Sequence, residues 1–228
     1  MKLIATCARG TRASGQFCIY LALLGLVAGC GAIDKPVRPT LYDFGAGLTA
    51  AALPDTARLS PSRPPLPALV LADIEAAGAL DGSAVLYRLG YADGNQLRPY
   101  AQARWSAPPP QVVRQRLREQ LGRERVVLNP GESGAALART GADAPRVLRI
   151  ELEEFSHYFD SPTLSFGLLR LRATLLEATA GGEKLLDQRA IVMQRPAASA
   201  DAPGGVRALA EATDAAAQAV SQWLQTAR

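Results

Sequence analysis

The sequence predicts an α+β domain with a mainly antiparallel sheet and two amphipathic helices packed on one face. Apolar and polar residues alternate with a period of two in 146–153 and in 169–175. This alternation is typical of strands with one buried and one solvated face. In 111–124 and 205–226 the apolar residues recur every three or four positions, which is typical of amphipathic helices.

The first 29 residues have the pattern of a secretion signal. Lys2, Arg9 and Arg12 precede an uninterrupted apolar run of twelve residues, 17–28. A permanent bilayer crossing needs about 20 apolar residues, so a run of this length favours a cleavable signal. The chain is therefore predicted to consist of three segments: a signal peptide over 1–29, a tether over 30–39 and a single domain over 40–228.

The leader ends in Val27-Ala28-Gly29-Cys30, which resembles the lipobox of bacterial lipoproteins. In those proteins the leader is removed and the cysteine becomes an acylated N-terminus. The resemblance implies lipidation of Cys30, and two or more acyl chains hold a protein firmly at a membrane. The alternative is an ordinary signal peptide, or an uncleaved anchor, followed by a chance cysteine. Gly31 stands where inner-membrane lipoproteins commonly carry aspartate, so the resemblance favours the periplasmic face of the outer membrane.

The charge of the mature chain argues against a nucleic-acid partner. The full chain has 25 Lys and Arg against 21 Asp and Glu, a net charge of +4. Removing the three leader cations leaves 22 against 21, and no basic patch interleaved with aromatic residues remains. Cys7 and Cys18 leave with the leader, so acylation of Cys30 would leave the domain without a free thiol.

The first half of the domain is expected to contain short strands and a hairpin. Strands are predicted at 40–44 and 68–74, with a long loop over 45–67 between them. The hairpin joins 85–89 to 97–101 through Asp93-Gly94, because glycine accepts the positive φ that tight turns require. Pro99 cannot donate to a strand ladder, so its strand is expected at an edge or bulged.

The second half alternates helix and sheet. Three prolines, 108–110, precede the first helix, in which Val113, Leu117 and Leu121 share a face. A short strand over 125–128 follows. Strands at 146–153, 169–175 and 183–194 are expected to form an antiparallel meander, on which the helix over 205–226 docks.

The stretch 87–109 resembles the ABC-type transport auxiliary lipoprotein family. Its hairpin ends in Arg104-Trp105 and is followed by a proline-marked helix start, and the order of elements agrees from about Leu41 to the C-terminus. The loop over 45–67 and the insert over 131–144 do not map onto the family pattern. The resemblance implies a non-enzymatic component of an ABC transport system that includes an MCE (mammalian cell entry) protein. The expected partners are that MCE-domain protein and the ABC subunits, and the expected cargo is phospholipid or another hydrophobic molecule.

Four aromatic residues of the hairpin are candidates for a partner or lipid contact: Tyr87, Tyr91, Tyr100 and Trp105. Tyrosine and tryptophan favour interfaces because each combines an apolar ring with a polar group. The alternative is that these side chains pack under the first helix.

The sequence predicts no catalytic residue, metal or cofactor. His157, the single histidine, could be imagined in a Ser/His/Asp hydrolase, but the chain has no Gly-x-Ser-x-Gly motif to present a nucleophile. We favour a strand-end histidine among aromatic residues. One histidine without a mature cysteine is a poor basis for a transition-metal site, and no phosphate-binding loop is present. A periplasmic lipoprotein hydrolase and a stand-alone lipid-binding module are the alternative functions.

Overall fold

The computed structural model describes residues 38–45, 66–132, 145–179 and 181–227. Its strands are β1 (Thr40–Tyr42), β2 (Leu66–Leu71), β3 (Glu75–Ala76), β4 (Ala84–Leu89), β5 (Gly94–Trp105), β6 (Arg125–Leu128), β7 (Arg146–Phe159), β8 (Ser165–Thr179) and β9 (Gly182–Pro196). Its helices are α1 (Gly90–Asp93), α2 (Pro109–Leu121) and α3 (Ala202–Thr226), with a 3-10 helix at Gly78–Leu80. The predicted signal peptide, Cys30, the tether up to residue 37 and most of the 45–67 loop lie outside the described residues.

The sheet is mixed, so the expectation of a mainly antiparallel sheet is wrong. On one side β7 pairs in parallel with three short strands in succession: β2 at Val147, β3 at Glu151 and β4 at His157. β1 with β5 and β2 with β6 are also parallel pairs. The alternation within a strand reports which face is buried, but it carries no information on the direction of a distant partner.

The antiparallel meander is confirmed. β8 pairs with β7 on one side and with β9 on the other, and Leu171 lies opposite both Leu152 and Ile191. β6 has the predicted bounds, while α2 and α3 begin two and three residues earlier than expected. Both early starts place proline in the first helical turn, where a missing N–H donor costs nothing.

The hairpin is confirmed, but its predicted turn is wrong. Gly94 has a φ of −67°, and α1, one turn of helix, joins β4 to β5 in place of a positive-φ turn. The Asp93 carboxylate caps the turn by accepting a hydrogen bond from the Asn95 N–H at 2.9 Å. The expected bulge is present, because the β4–β5 register shifts between the Ala84–Arg104 and Leu86–Pro99 pairs.

The two longer helices share one hydrophobic core with the sheet. Its fully buried members include Leu117 of α2, Leu209 of α3 and Leu148 of β7. The opposite face of β7 and β8 is charged, and Glu153 forms ion pairs there with Arg170 at 2.8 Å and Arg172 at 2.6 Å. This distribution is that of a two-layer α+β domain with one solvated sheet face. None of the helices in the described segments is both long and apolar enough for a membrane crossing.

Candidate contact site at the aromatic hairpin

Two of the four candidate aromatic residues, Tyr87 and Tyr100, meet inside the hairpin. Pairing of β4 with β5 brings their rings to a centroid distance of 4.7 Å. Because β4 also pairs in parallel with β7, Tyr87 lies opposite His157 and packs edge-on against Phe159 at 6.1 Å. The hairpin tyrosines and the aromatic end of β7 therefore form one cluster.

His157 is fully buried at the centre of this cluster. Its Nδ1 lies 2.8 Å from the Tyr100 hydroxyl, with which it shares a hydrogen bond, and its ring lies 4.3 Å from that of Phe159. α3 begins directly against the ring, since a Cβ on Gly205 would collide with His157. Glycine is needed at this position because the helix backbone approaches a side chain so closely.

Burial keeps both partners of this hydrogen bond neutral. It lowers the pKa of His157 from 6.5 to about 4, and the nearby Asp201 carboxylate opposes that shift only in part. Burial also raises the pKa of the Tyr100 hydroxyl above its usual value, with Tyr87 and Asp201 adding to the effect. At neutral pH the pair is therefore an uncharged, structural hydrogen bond.

The surroundings of His157 favour the structural interpretation over the hydrolase. Among the described residues no serine hydroxyl is hydrogen-bonded to it, and the adjacent Ser156 points to the other face of the strand. Asp201 caps α3 by accepting from the Gly204 N–H at 2.8 Å and from the Ser199 hydroxyl. A catalytic base must lie against an accessible nucleophile, and this geometry places none there.

The other two candidate residues have opposite environments. Tyr91 lies on α1 with 49% of its surface exposed. Trp105 is 1% exposed and packs between Phe44 and Phe155, each at a centroid distance of 5.5 Å. Trp105 thus occupies the core, between two phenylalanine rings. A contact through Tyr87, Tyr91 or Tyr100 stays a prediction.

Sequence reasoning missed the ion pair that supports the hairpin on the solvated face. Arg88 of β4 donates from Nη2 and Nε to Glu154 of β7 at 2.9 and 3.2 Å. Its Nη1 also donates to the Gly94 and Asn95 carbonyl oxygens at 3.2 and 3.1 Å, which fixes the end of α1. The only signal in the sequence was a pair of complementary charges 66 residues apart.

Burial of His157 predicts a pH-dependent stability. Its folded pKa lies below the unfolded value, so the unfolded chain binds more protons between pH 4 and 6.5. This contribution, about 3 kcal/mol, is present above pH 6.5 and is lost as the pH falls towards 4. Urea unfolding across this range should show a weaker pH dependence in His157→Asn, whose amide oxygen can still accept from Tyr100. Identical pH profiles in the two proteins would contradict the buried neutral histidine.

Comparison with known proteins gives a family and a fold. A family model described as ABC-type transport auxiliary lipoprotein component matches residues 48–221. No curated protein sequence matches the chain. The fold is similar to the crystal structure of a Xanthomonas campestris protein of the DUF330 family, with a TM-score of 0.57, 20% identity, 72% of this chain covered and 87% of the other. It is also similar to the crystal structure of an uncharacterised protein, with a TM-score of 0.55, 14% identity and coverages of 82% and 99%.

Proposed function

The chain belongs to the family of ABC-type transport auxiliary lipoprotein components, and from this premise we propose that it is a lipid-anchored accessory subunit of a transport system for phospholipid or another hydrophobic cargo. The observation that carries the proposal is the extent of the family match. Residues 48–221 include every described strand except β1 and nearly all of α3. The match is therefore to the domain as a whole and not to one motif.

The proposed anchor is an acylated Cys30 at the periplasmic face of the outer membrane. Its support is the sequence Val27-Ala28-Gly29-Cys30, the basic and apolar leader before it, and Gly31 after it. β1 begins at Thr40, so nine residues, 31–39, separate the proposed anchor from the first strand. A tether of this length keeps the domain close to the membrane surface.

The proposed role is non-enzymatic, with transport energy supplied by partner subunits. The family description makes the chain an auxiliary component, and the single histidine is buried in a hydrogen bond with Tyr100. The proposed partners are an MCE-domain protein and the ABC subunits of the same system. Tyr91 is the most exposed of the four candidate contact residues, which supports it as part of a docking or lipid surface.

A pull-down tests the proposed partners. We expect the full chain with a C-terminal affinity tag, extracted from cross-linked membranes in mild detergent, to recover an MCE-domain protein together with an ATPase and a permease. The matched control is residues 1–39 fused to an unrelated soluble domain, which has the same leader and anchor site. Equal recovery by the control, or an absence of MCE and ABC subunits from the full-chain sample, would overturn the proposal.

A further inference from the structure

One end of the sheet carries exposed apolar side chains from two separate loops. Leu89, the last residue of β4, pairs with Phe159, and Phe159 pairs with Ser165, the first residue of β8. α1 and the β7–β8 turn, residues 160–164, therefore lie at the same end, which we call the tip. Tyr91 of α1 is 49% exposed and Leu164 of the turn is 60% exposed.

Hydrogen bonds and aromatic packing hold the tip in one shape. The Leu164 carbonyl oxygen accepts from the Asp160 and Ser161 N–H groups at 3.0 and 3.2 Å, and the Ser161 hydroxyl accepts from the Leu164 N–H at 3.0 Å. Behind α1, the ring of Tyr158 lies against Gly90 and stacks on Phe166 at 5.1 Å. Tyr91 and Leu164 are therefore exposed on a surface whose shape is fixed by hydrogen bonds and packing.

β1 runs away from the tip, beside the far end of β5. β1 is parallel to β5, with Thr40 opposite Ala103 and Tyr42 opposite Trp105. β5 itself starts at Gly94, directly after α1, and runs away from the tip. The start of β1 thus faces the same end of the sheet as α1 and the β7–β8 turn.

The tether is long enough for the tip to meet the membrane. Leu41 and Ala84 both pair with Arg104, so they lie at the same level of the sheet. From Ala84 to the end of β4 at Leu89 is about 17 Å, at roughly 3.3 Å per residue. The ten residue-to-residue steps from Cys30 to Thr40 can span up to about 33 Å. An anchor at Cys30 therefore allows the tip to reach the lipid headgroups.

We propose that the tip lies in the headgroup region of the bilayer that holds the acyl chains of Cys30, with Tyr91 and Leu164 as the contacting side chains. The placement rests on the proposed lipidation. Tyrosine is favoured at the membrane–water interface because its ring is apolar and its hydroxyl stays hydrated. The tip residues 90–93 and 160–164 include Asp93 and Asp160 and no lysine or arginine. The contact therefore does not depend on attraction to anionic lipid.

Tryptophan fluorescence quenched by bromine-labelled acyl chains tests this placement. The full chain is purified from membranes in detergent, its Cys30 acylation is read by mass spectrometry, and it is reconstituted into phosphatidylcholine vesicles. The probes are Tyr91→Trp and Leu164→Trp. The matched control is Leu185→Trp, because Leu185 is 58% exposed but pairs with Leu176, eleven residues along β8 from the tip. Native Trp105 and Trp223 are buried and give the background in the unsubstituted protein.

We expect bromolipid to remove about half of the added fluorescence at positions 91 and 164 and almost none at 185, with no increase on adding anionic lipid. Equal quenching at all three positions, or none at 91 and 164 in acylated protein, would overturn the placement and leave the anchor intact. If mass spectrometry finds no acyl groups on Cys30, the proposed lipid anchor itself is refuted. This result is read separately from the quenching.

Discussion

Loss of the lipid attachment site is expected to release the protein from the membrane fraction almost completely. The variant carries Cys30→Ala behind a signal that ordinary signal peptidase removes, so that no uncleaved leader can act as an anchor. Each methylene of an acyl chain contributes about 0.8 kcal/mol to membrane binding, and two or three chains bury tens of them. In the described part of the chain no helix is long and apolar enough to cross a membrane. The measurement is the share of protein that sediments with membranes.

The tip is too weak to take over as an anchor. Complete burial of a large apolar side chain is worth about 1.5–3 kcal/mol, and Tyr91 and Leu164 are already partly covered by the protein. Their proposed contact orients the domain, whereas the acyl chains retain it. Circular dichroism should be unchanged in the released domain, because all the described strands and helices come after Cys30 in the sequence.

The matched control for this experiment is Cys18→Ala in the native leader. It removes a cysteine from the apolar run and leaves Val27-Ala28-Gly29-Cys30 intact, so the protein should stay in the membrane fraction. The fractionation is repeated in a strain that lacks the partner transporter, so that binding to the transporter cannot retain the protein at the membrane. An unlipidated domain that still sediments with outer membranes in that strain would refute the proposed role of Cys30.

Local patterns were sufficient to predict the elements of the second half of the domain. The alternation around Leu148 and Leu171 predicted β7 and β8, because each side chain lies on a face that the strand period determines. The bounds of β6 followed from the predicted end of the preceding helix at residue 124 and from the break at Asn129-Pro130-Gly131. The direction of β2, β3 and β4 could not be predicted, because parallel pairing with β7 depends on how the chain returns through space.

The glycine at the hairpin turn was recognised for the wrong physical reason. Gly94 was expected to provide a positive φ, but its backbone is helical. A Cβ on Gly94 would come 3.2 Å from the Tyr158 hydroxyl, and one on Gly90 would collide with the same ring. Both glycines make room for a side chain that lies more than 60 residues away in the sequence, and no local pattern contains that contact.

The candidate site was predictable only in part, for the same reason. The clustering of Tyr87 and Tyr100 follows from the hairpin, which local sequence predicts. The hydrogen bond between Tyr100 and His157 joins residues 57 positions apart and depends on β4 lying between β5 and β7. Burial of Trp105 likewise depends on two residues that are distant from each other in the sequence: Phe44, which follows β1, and Phe155 of β7.

Gly167→Ala is expected to destabilise the domain strongly, because it separates β8 from α3. A Cβ at position 167 would lie 2.5 Å from the Ala208 carbonyl carbon and 2.6 Å from the Leu209 nitrogen. These are backbone atoms of a helix, so no side-chain rotation can relieve the contact and α3 must move. Overpacking of this kind costs about 1–3 kcal/mol, only partly offset by the 0.5–1 kcal/mol gained when alanine replaces glycine in a strand.

The matched control is Gly82→Ala, because Gly82 has open space where a Cβ would be and no positive φ. Urea unfolding followed by intrinsic tryptophan fluorescence reads the effect, since one of the two tryptophans, Trp223, lies on α3 and donates a hydrogen bond to Asp187 at 2.8 Å. With native stability of the order of 5–15 kcal/mol, Gly167→Ala should lower the unfolding midpoint clearly, and Gly167→Val should lower it further because a larger side chain pushes α3 away. Gly82→Ala should stay within about 0.5 kcal/mol of the unsubstituted protein. Coincident midpoints for Gly167→Ala and Gly82→Ala would show that α3 does not pack on β8 at the distance described.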